Sequence, residues 1–249
     1  MSQRLRVYLP SLSAGPRRLP AETAHYVARV HRLGNGARFM AFDPEEALEA
    51  EAVIVETSGG QVTCELRAPE RALRVGALSV TLFAAPGKGE RFEEVVRAAT
   101  ALGVRALHLV KSERSVFVPR DRHRDRLRAI AIDGARQSGR GDLPTISGPT
   151  PLADAIRATR APLRLCLHPR APESLHALLG AWTPADEAAV LVGPEGGFSE
   201  PELTAVRDAG WLLGALGPFT LRAELAAIVA LGCFASRAPG APPEETVPQ

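Results

Sequence analysis

The strongest indication of chemistry is a glycine-rich segment near the C-terminus, LVGPEGGFSEPEL, which occupies residues 191–203. Its apolar beginning predicts a buried strand, and Ser199 followed by Glu202 predicts a capping box that starts a helix. Glycines without a Cβ allow backbone N–H and C=O groups to approach a ligand closely, at the carboxyl end of a strand where α/β proteins bind cofactors. The segment therefore predicts a ligand-binding loop, although a tight strand-to-helix turn without a ligand would use the same residues.

Two further strand ends have the same character. LGPFTLRAE (residues 216–224) again joins an apolar strand through glycine to a helix, and LCLHP (residues 165–169) ends a third strand. Because the strand ends of a parallel sheet can line one pocket, the sequence predicts that all three share a site. Arg222 and Glu224 are the polar residues that begin an otherwise apolar helix, and we predict a functional role for them; an ion pair at the helix end is the alternative.

Several other kinds of site are absent from the sequence. Residues 87–89, GKG, are not part of a phosphate-binding GxxxxGK[ST] loop, and no GxGxxG, GxSxG or HExxH motif occurs. Cys64, Cys166 and Cys233 are far apart and include no CxxC pair, which argues against a zinc site or a disulfide framework and favours a reducing compartment. No apolar run has the length of a membrane span and no signal-peptide pattern occurs, so we expect a cytoplasmic protein without metal.

The elements that must position these residues fall into two groups. Up to residue 70, alternating segments near 4–9, 37–42, 51–56 and 62–66 predict strands, with one helix at about 21–30, a pattern typical of a small β-barrel. After Pro69, apolar strands at 78–84, 106–110, 163–167, 188–192 and 211–216 alternate with helices at 90–102, 122–137, 151–157, 200–208 and 222–236. This alternation predicts an α/β domain with a parallel sheet. We therefore expect a barrel over residues 1–72, an α/β domain over 73–238 and a disordered tail over 239–249.

Positive charge is concentrated in two parts of the chain. The formal net charge is only +2, but residues 1–38 contain many arginines against a single acid, Glu22, and residues 111–140 are also predominantly basic. Such segments can contact the phosphates of a polyanion, although a solvated arginine-rich surface has the same composition.

Taken together, these segments resemble the RsmE family of 16S ribosomal RNA uridine-N3 methyltransferases, in the SPOUT superfamily. The resemblance rests on VGPEGGFSEPEL, LGPFTLRAELA and LHP, supported in order by KGERFEEVVRAATALGV, SERS and ARQSGR, and more weakly by HYVARVHRLGNGARFMAFD. It covers residues 4–236. Phe219, Ala223 and Leu225 depart from the family pattern, where an arginine and two threonines are usual, and Ala101 and Arg136 each replace a glutamate.

The resemblance implies a SPOUT trefoil-knot methyltransferase domain preceded by a PUA-like β-barrel RNA-binding domain, acting as a homodimer on 16S ribosomal RNA or the small ribosomal subunit. It implies S-adenosyl-L-methionine (AdoMet) as cofactor. The positions that match the cofactor loops are Leu167, His168, Gly193, Pro194, Glu195, Gly196, Gly197, Leu216, Gly217, Leu221 and Arg222. The candidate RNA-binding residues, taken from the basic segments, are Arg4, Arg17, Arg18, Arg29, Arg32, Arg114 and Arg140.

Methylation of uridine N3 removes a proton and leaves negative charge on the base oxygens, so a cation near them would lower the barrier. Arg222 is the candidate for this catalytic role, Glu224 for holding it or moving the proton, and Glu195 for facing the sulfonium. Two alternatives stay open. A related enzyme could methylate another RNA position, such as a tRNA ribose 2′-hydroxyl, and a protein with the same fold could assist RNA assembly without catalysis.

Overall fold

The computed structural model describes residues 5–87, 90–116, 121–180 and 182–238, so Arg4 and the predicted tail lie outside the described residues. The chain forms two compact units. The first unit comprises Met1–Gly76, Val96–Ala101 and Arg122–Pro144, and the second comprises Ala77–Val95, Leu102–Asp121 and Thr145–Gln249. Among the described residues, no helix combines the length and apolar character needed to cross a membrane.

The first unit is built on one mixed sheet. Its elements in chain order are β1 (Arg6–Tyr8), β2 (Gly15–Arg18), α1 (Ala21–His25), a π-helical continuation (Tyr26–Val30), β3 (Arg38–Asp43), β4 (Leu48–Ser58), β5 (Gln61–Leu66) and β6 (Glu70–Arg71). The strands are ordered β1-β3-β4-β5-β2, with β6 paired to β4, and only β1 and β3 run parallel. Alternate residues of β5, Val62, Cys64 and Leu66, point into the core, as expected for a sheet with one solvated face.

Two helices contribute to the first unit although the sequence assigns them to the α/β domain. They are α2 (Glu90–Ala101), whose second half belongs here, and α3 (Asp121–Ser138). Ile132 and Ala135 of α3 form a buried cluster with Phe42 of β3. Because of such packing, residues 96–101 and 122–144 belong to the first unit by their contacts. Their order along the chain suggests instead a domain boundary near residue 72.

The structure does not support the predicted RNA contact of Arg140. Its side chain is only 5% exposed, and its guanidinium donates to both carboxylate oxygens of Asp142, at 2.7 and 3.1 Å, and to the carbonyl oxygen of Thr100 at 3.0 Å. A buried guanidinium engaged in this way is part of the packing of the first unit and does not present charge to a phosphate.

Arg140→Ala should therefore lower the free energy of unfolding, by about 2 kcal/mol or more, because it removes the cationic partner of Asp142 and leaves the carbonyl of Thr100 without this donor. Urea denaturation measures the change. The control is Arg67→Ala, because Arg67 is 69% exposed and its ion pair with Glu51 should contribute less than about 1 kcal/mol. Equal losses in the two variants would contradict the structural role of Arg140.

The second unit is an α/β fold with a seven-stranded sheet in which every pairing is parallel. Its strands are β7 (Leu78–Ala84), β8 (Val104–Lys111), β9 (Thr145–Pro151), β10 (Leu163–Leu167), β11 (Glu173–Ser174), β12 (Ala188–Val192) and β13 (Leu212–Ala215), in the order β11-β13-β10-β12-β7-β8-β9. The helices are α4 (Leu152–Ala158), α5 (Leu175–Leu178), α6 (Glu200–Asp208) and α7 (Ala223–Ala235). All five residues of β12 are buried, as expected for a central strand covered on both faces. The predicted α/β class with a parallel sheet is confirmed.

The strands that the sequence did not predict include two that contain proline at a sheet edge. β2 and β9 are the outer strands of their sheets, where a missing N–H donor is tolerated. In β9, Gly148 has φ +88°, and a Cβ there would lie 2.3 Å from the carbonyl oxygen of Leu109. Gly148 thus allows this edge strand to pair closely with β8, although its glycine and prolines resemble a loop in the sequence.

Candidate functional site

Three neighbouring strands, β13, β10 and β12, end at the same edge of the parallel sheet, and the loops that follow them surround one cavity of about 750 Å³. This volume lies within the range of about 300–1,000 Å³ that is usual for small-molecule sites. Of the predicted cofactor positions, Gly217 is not part of the cavity lining; those that line it are Leu167, His168, Gly193, Pro194, Glu195, Gly196, Gly197, Leu216, Leu221 and Arg222. The sequence thus predicted most of the loop residues that meet at this cavity.

The loop after β12 is tightly constrained. A Cβ on Gly193 would lie 3.0–3.2 Å from three ring atoms of Phe198, whose side chain is buried in the core of the second unit. The N–H of Gly197 donates to the carbonyl oxygen of Pro194 at 2.8 Å, and Gly197 has φ +67°. These contacts hold the backbone of residues 193–197 against the cavity, where no side chain from Gly193, Gly196 or Gly197 obstructs it.

Glu202 joins this loop to the one after β8. Its carboxylate accepts from the N–H of Ser199 at 2.9 Å, forming the predicted capping box of α6, and from the N–H of Glu113 at 2.7 Å. Arg114 then donates to the carbonyl oxygen of Gly196 at 3.0 Å and lines the cavity. Sequence reasoning found Arg114 through its charge but did not place it at the cofactor loops, because the contact joins residues far apart in the chain.

His168 belongs to the loop after β10. Its backbone N–H donates to the carbonyl oxygen of Gly214 at 3.0 Å, which links this loop to β13, and its Nδ1 accepts from the N–H of Arg170 at 3.2 Å. Partial burial and, to a smaller extent, the positive charges of Arg207 and Arg170 lower the pKa of His168. The imidazole is therefore neutral at physiological pH and adds no positive charge to the cavity.

The two candidate catalytic residues lie at the start of α7, but they are not paired with each other. Arg222 is the N-cap residue and is exposed to the cavity, while Glu224 lies 3.9 Å from Nε of Arg91. Arg91 also donates to Glu195 at 3.1 Å, so it connects the loop after β12 to the first turn of α7. In the described residues no ion pair joins Arg222 to Glu224, so the guanidinium of Arg222 is not neutralised by that carboxylate.

Arg91 is the functional candidate that sequence reasoning missed. It occurs on α2 within KGERFEE, and a single arginine on a polar helix face gives no local sign of what it contacts. The structure shows that it lies between Glu195 and Glu224. Glu195, which we predict to face a sulfonium, therefore already has a positively charged partner in Arg91.

The remaining predicted arginines lie in the first unit. Arg18, Arg29 and Arg32 are exposed there. Arg17 is half-buried and donates to the carbonyl oxygens of Ser11 and Pro10, at 3.0 and 2.7 Å, which fixes its side chain against the turn after β1.

Metal and thiol chemistry find no support among the described residues. No group of three or more His, Cys, Asp or Glu side chains that could hold a metal ion occurs in that part of the chain. Cys166, at the end of β10, is buried, and its burial raises the pKa of the thiol to about 12. A thiol that stays protonated is a poor nucleophile, so Cys166 has a packing role.

Comparison with known proteins identifies the family of this chain. The chain matches the family described as RNA methyltransferase domain over residues 75–235. The ribosomal RNA small subunit methyltransferase E of Synechocystis is 30% identical over 210 residues, which are 83% of this chain and 68% of that protein. The protein of the same name from Mycobacterium bovis is 34% identical over 162 residues, 61% of either chain.

A solved structure extends the similarity to the whole fold. A Legionella pneumophila protein described as a methyltransferase, in complex with the bound cofactor SAM, has a TM-score of 0.82 at 29% sequence identity. The match covers 94% of this chain and 98% of that one. On these grounds the chain belongs to the RNA methyltransferase family, with the ribosomal RNA small subunit methyltransferases E among its members.

Proposed function

We propose that this protein transfers a methyl group from AdoMet to N3 of a uridine in 16S ribosomal RNA of the small subunit. The observation that carries the proposal is the cavity at the carboxyl ends of β10, β12 and β13, which is lined by backbone-rich glycine loops and by Arg222. The related proteins named above act on small-subunit ribosomal RNA by name, and the similar Legionella protein holds SAM.

The residues around the cavity fit a nucleoside cofactor. Gly193 lies where a Cβ would meet the Phe198 ring, so only a bare backbone can be presented to a ligand at that point. Backbone groups of residues 167–168, 193–197 and 216–222 would hold the adenine and ribose, which display hydrogen-bonding edges suited to N–H and C=O partners. When bound, AdoMet supplies a methyl group activated by a positive sulfonium.

Side chains of the protein can stabilise the charges that develop during the reaction. Uridine N3 must lose its proton, and the resulting negative charge is shared with the two base oxygens. Arg222, exposed at the cavity and not paired to Glu224, is placed to stabilise that charge. Arg91 keeps Glu195 and Glu224 close together, so a carboxylate is available near the same loops to help the proton leave or to balance the sulfonium.

Two features of the architecture complete the proposal. In the second unit, the chain leaves β13, which lies beyond β10, and returns to pack α7 on β12 and β7. We propose that this return, from an outer strand to the centre of the sheet, forms a trefoil knot, a topology that few folds adopt. In the first unit, the small mixed sheet supports a PUA-like RNA-binding domain, with Arg17, Arg18, Arg29 and Arg32 as phosphate contacts.

We also infer a cytoplasmic homodimer. α7 is almost wholly apolar, and its residues Ala227, Ala230 and Phe234 are buried while Leu225 and Val229 are 46% and 36% exposed. Exposed apolar residues on a long buried helix are typical of a surface that pairs with a partner, and a second copy of the chain is the partner proposed here.

The proposal is tested by incubating small-subunit ribosomal RNA with the protein and AdoMet and analysing the nucleosides by mass spectrometry. N3-methyluridine should appear with the wild-type protein and should be nearly absent with Arg222→Ala. Appearance of a 2′-O-methylated nucleoside would favour the alternative of ribose methylation. Tight AdoMet binding without any methylated product, from naked RNA and from assembled subunits alike, would overturn the enzymatic proposal in favour of an assembly role.

A further inference from the structure

Phe219, at the rim of the cavity, is unusually exposed for an aromatic residue. Its side chain is 80% exposed, whereas the other Phe, Tyr and Trp side chains in the described part of the chain are buried or half-buried. Burying such a ring in the protein would contribute about 1.5–3 kcal/mol, which the fold does not gain at this position. Phe219 lies in the loop after β13 and forms part of the cavity wall, three residues before the proposed catalytic Arg222.

Binding of the cofactor alone does not explain the charge of the cavity lining. Arg91, Arg114, Arg170 and Arg222 line the cavity, against the two acids Glu195 and Glu200. Arg91 is paired with Glu195, so the remaining lining is positive. Because AdoMet carries positive charge at its reacting end, a positive lining is suited to a further, negatively charged ligand.

An exposed aromatic ring beside arginines is the arrangement that recognises unpaired nucleotides. Bases stack on aromatic faces regardless of sequence, while arginines hold the adjacent phosphates. The target base of a methyltransferase must leave its helix to reach the methyl donor, and a stacking surface at the entrance would stabilise the extruded strand.

We propose that Phe219 is a stacking platform for a base of the RNA substrate at the mouth of the cavity, with Arg114 and Arg170 contacting the neighbouring phosphates. This inference rests on the proposed function and adds to it a residue that binds the substrate. Arg114 lines the cavity and is held in place by its bond to the carbonyl oxygen of Gly196, and a guanidinium has further N–H donors for a phosphate.

The rival occupant is a second copy of the chain. The exposed residues of α7, Leu225 and Val229, are absent from the cavity lining, whereas Phe219 shares that lining with several charged side chains. The centre of a protein–protein interface is depleted in charged residues, so the surroundings of Phe219 favour a nucleic acid over a protein surface.

The experiment uses the full chain with Phe219→Trp as a fluorescent reporter and single-stranded oligouridylate as the probe. The native Trp182 and Trp211 are 7% and 2% exposed, so they give a background that the probe cannot reach. Oligouridylate should quench the emission of the Phe219→Trp variant. The matched control is Leu212→Trp, which places a tryptophan at an exposed position of the second unit outside the cavity lining and should not respond.

Phe219→Ala gives the second measurement. We expect the KM for ribosomal RNA to rise about tenfold, because one base–aromatic stack is lost, while the AdoMet affinity and the sedimentation coefficient stay unchanged. An unchanged KM together with no quenching would overturn the proposal, and dissociation of a dimer would assign Phe219 to an interface between copies. If the wild-type protein methylates no ribosomal RNA, the proposed function fails, but the quenching titration still tests the stacking independently.

Discussion

Arg222→Ala should reduce the rate of methyl transfer about 100-fold or more while leaving the affinity for AdoMet nearly unchanged. The guanidinium is exposed at the cavity and is not engaged by Glu224, so its charge is available to the uracil anion that develops during the reaction. The cofactor would depend on the backbone of residues 216–222, which the substitution does not remove. Single-turnover kinetics measure the rate, and calorimetric titration measures AdoMet binding.

The control for this prediction is Arg157→Ala. Arg157 is also exposed, at 68%, and forms an ion pair with Asp154 on α4, but it lies outside the cavity lining. Its loss should not affect transfer. If Arg222→Ala weakens AdoMet binding as much as it slows the reaction, Arg222 has a binding role instead of a catalytic one, and an unchanged rate would remove it from the mechanism.

The parts of the fold that were predictable carry strong local signals. The run of apolar residues in β12 and the glycines that follow it specify a buried strand and a turn, whatever surrounds them. Ser199 and Glu202 likewise specify the start of α6 within four residues. Because parallel strands bring their carboxyl ends to one edge, the meeting of the three loops followed from the order of the elements.

The parts that were not predictable depend on contacts between distant residues. Arg140 belongs to a basic segment in the sequence, but its burial depends partly on the carbonyl of Thr100, 40 residues away. Arg91 and Arg114 reach the loop after β12 from 104 and 82 residues away. Composition gives the charge of such residues but not the contacts that they make in the fold. Arg140 is structural, whereas Arg91 and Arg114 are part of the site.

Gly193→Val should abolish detectable AdoMet binding, or weaken it by at least about tenfold. Even the first carbon of the new side chain would lie 3.0 Å from the Phe198 ring, and the two methyl groups beyond it have no space on that side. Phe198 is buried with Leu203 and Trp211 in the core of the second unit, so it cannot move away at low cost. The backbone of the loop must move instead, and with it the N–H and C=O groups that would hold the cofactor.

This effect must be separated from a general loss of folding. Gly34→Val is the matched control, because a Cβ on Gly34 meets nothing within 4 Å and Gly34 has no positive φ. Thermal unfolding without cofactor should show both variants folded, with a lower midpoint for Gly193→Val, and calorimetry should then show AdoMet binding only for Gly34→Val. A folded Gly193→Val protein that binds AdoMet with wild-type affinity would mean that the loop after β12 does not form the cofactor site, and the proposed reaction could not take place in this cavity.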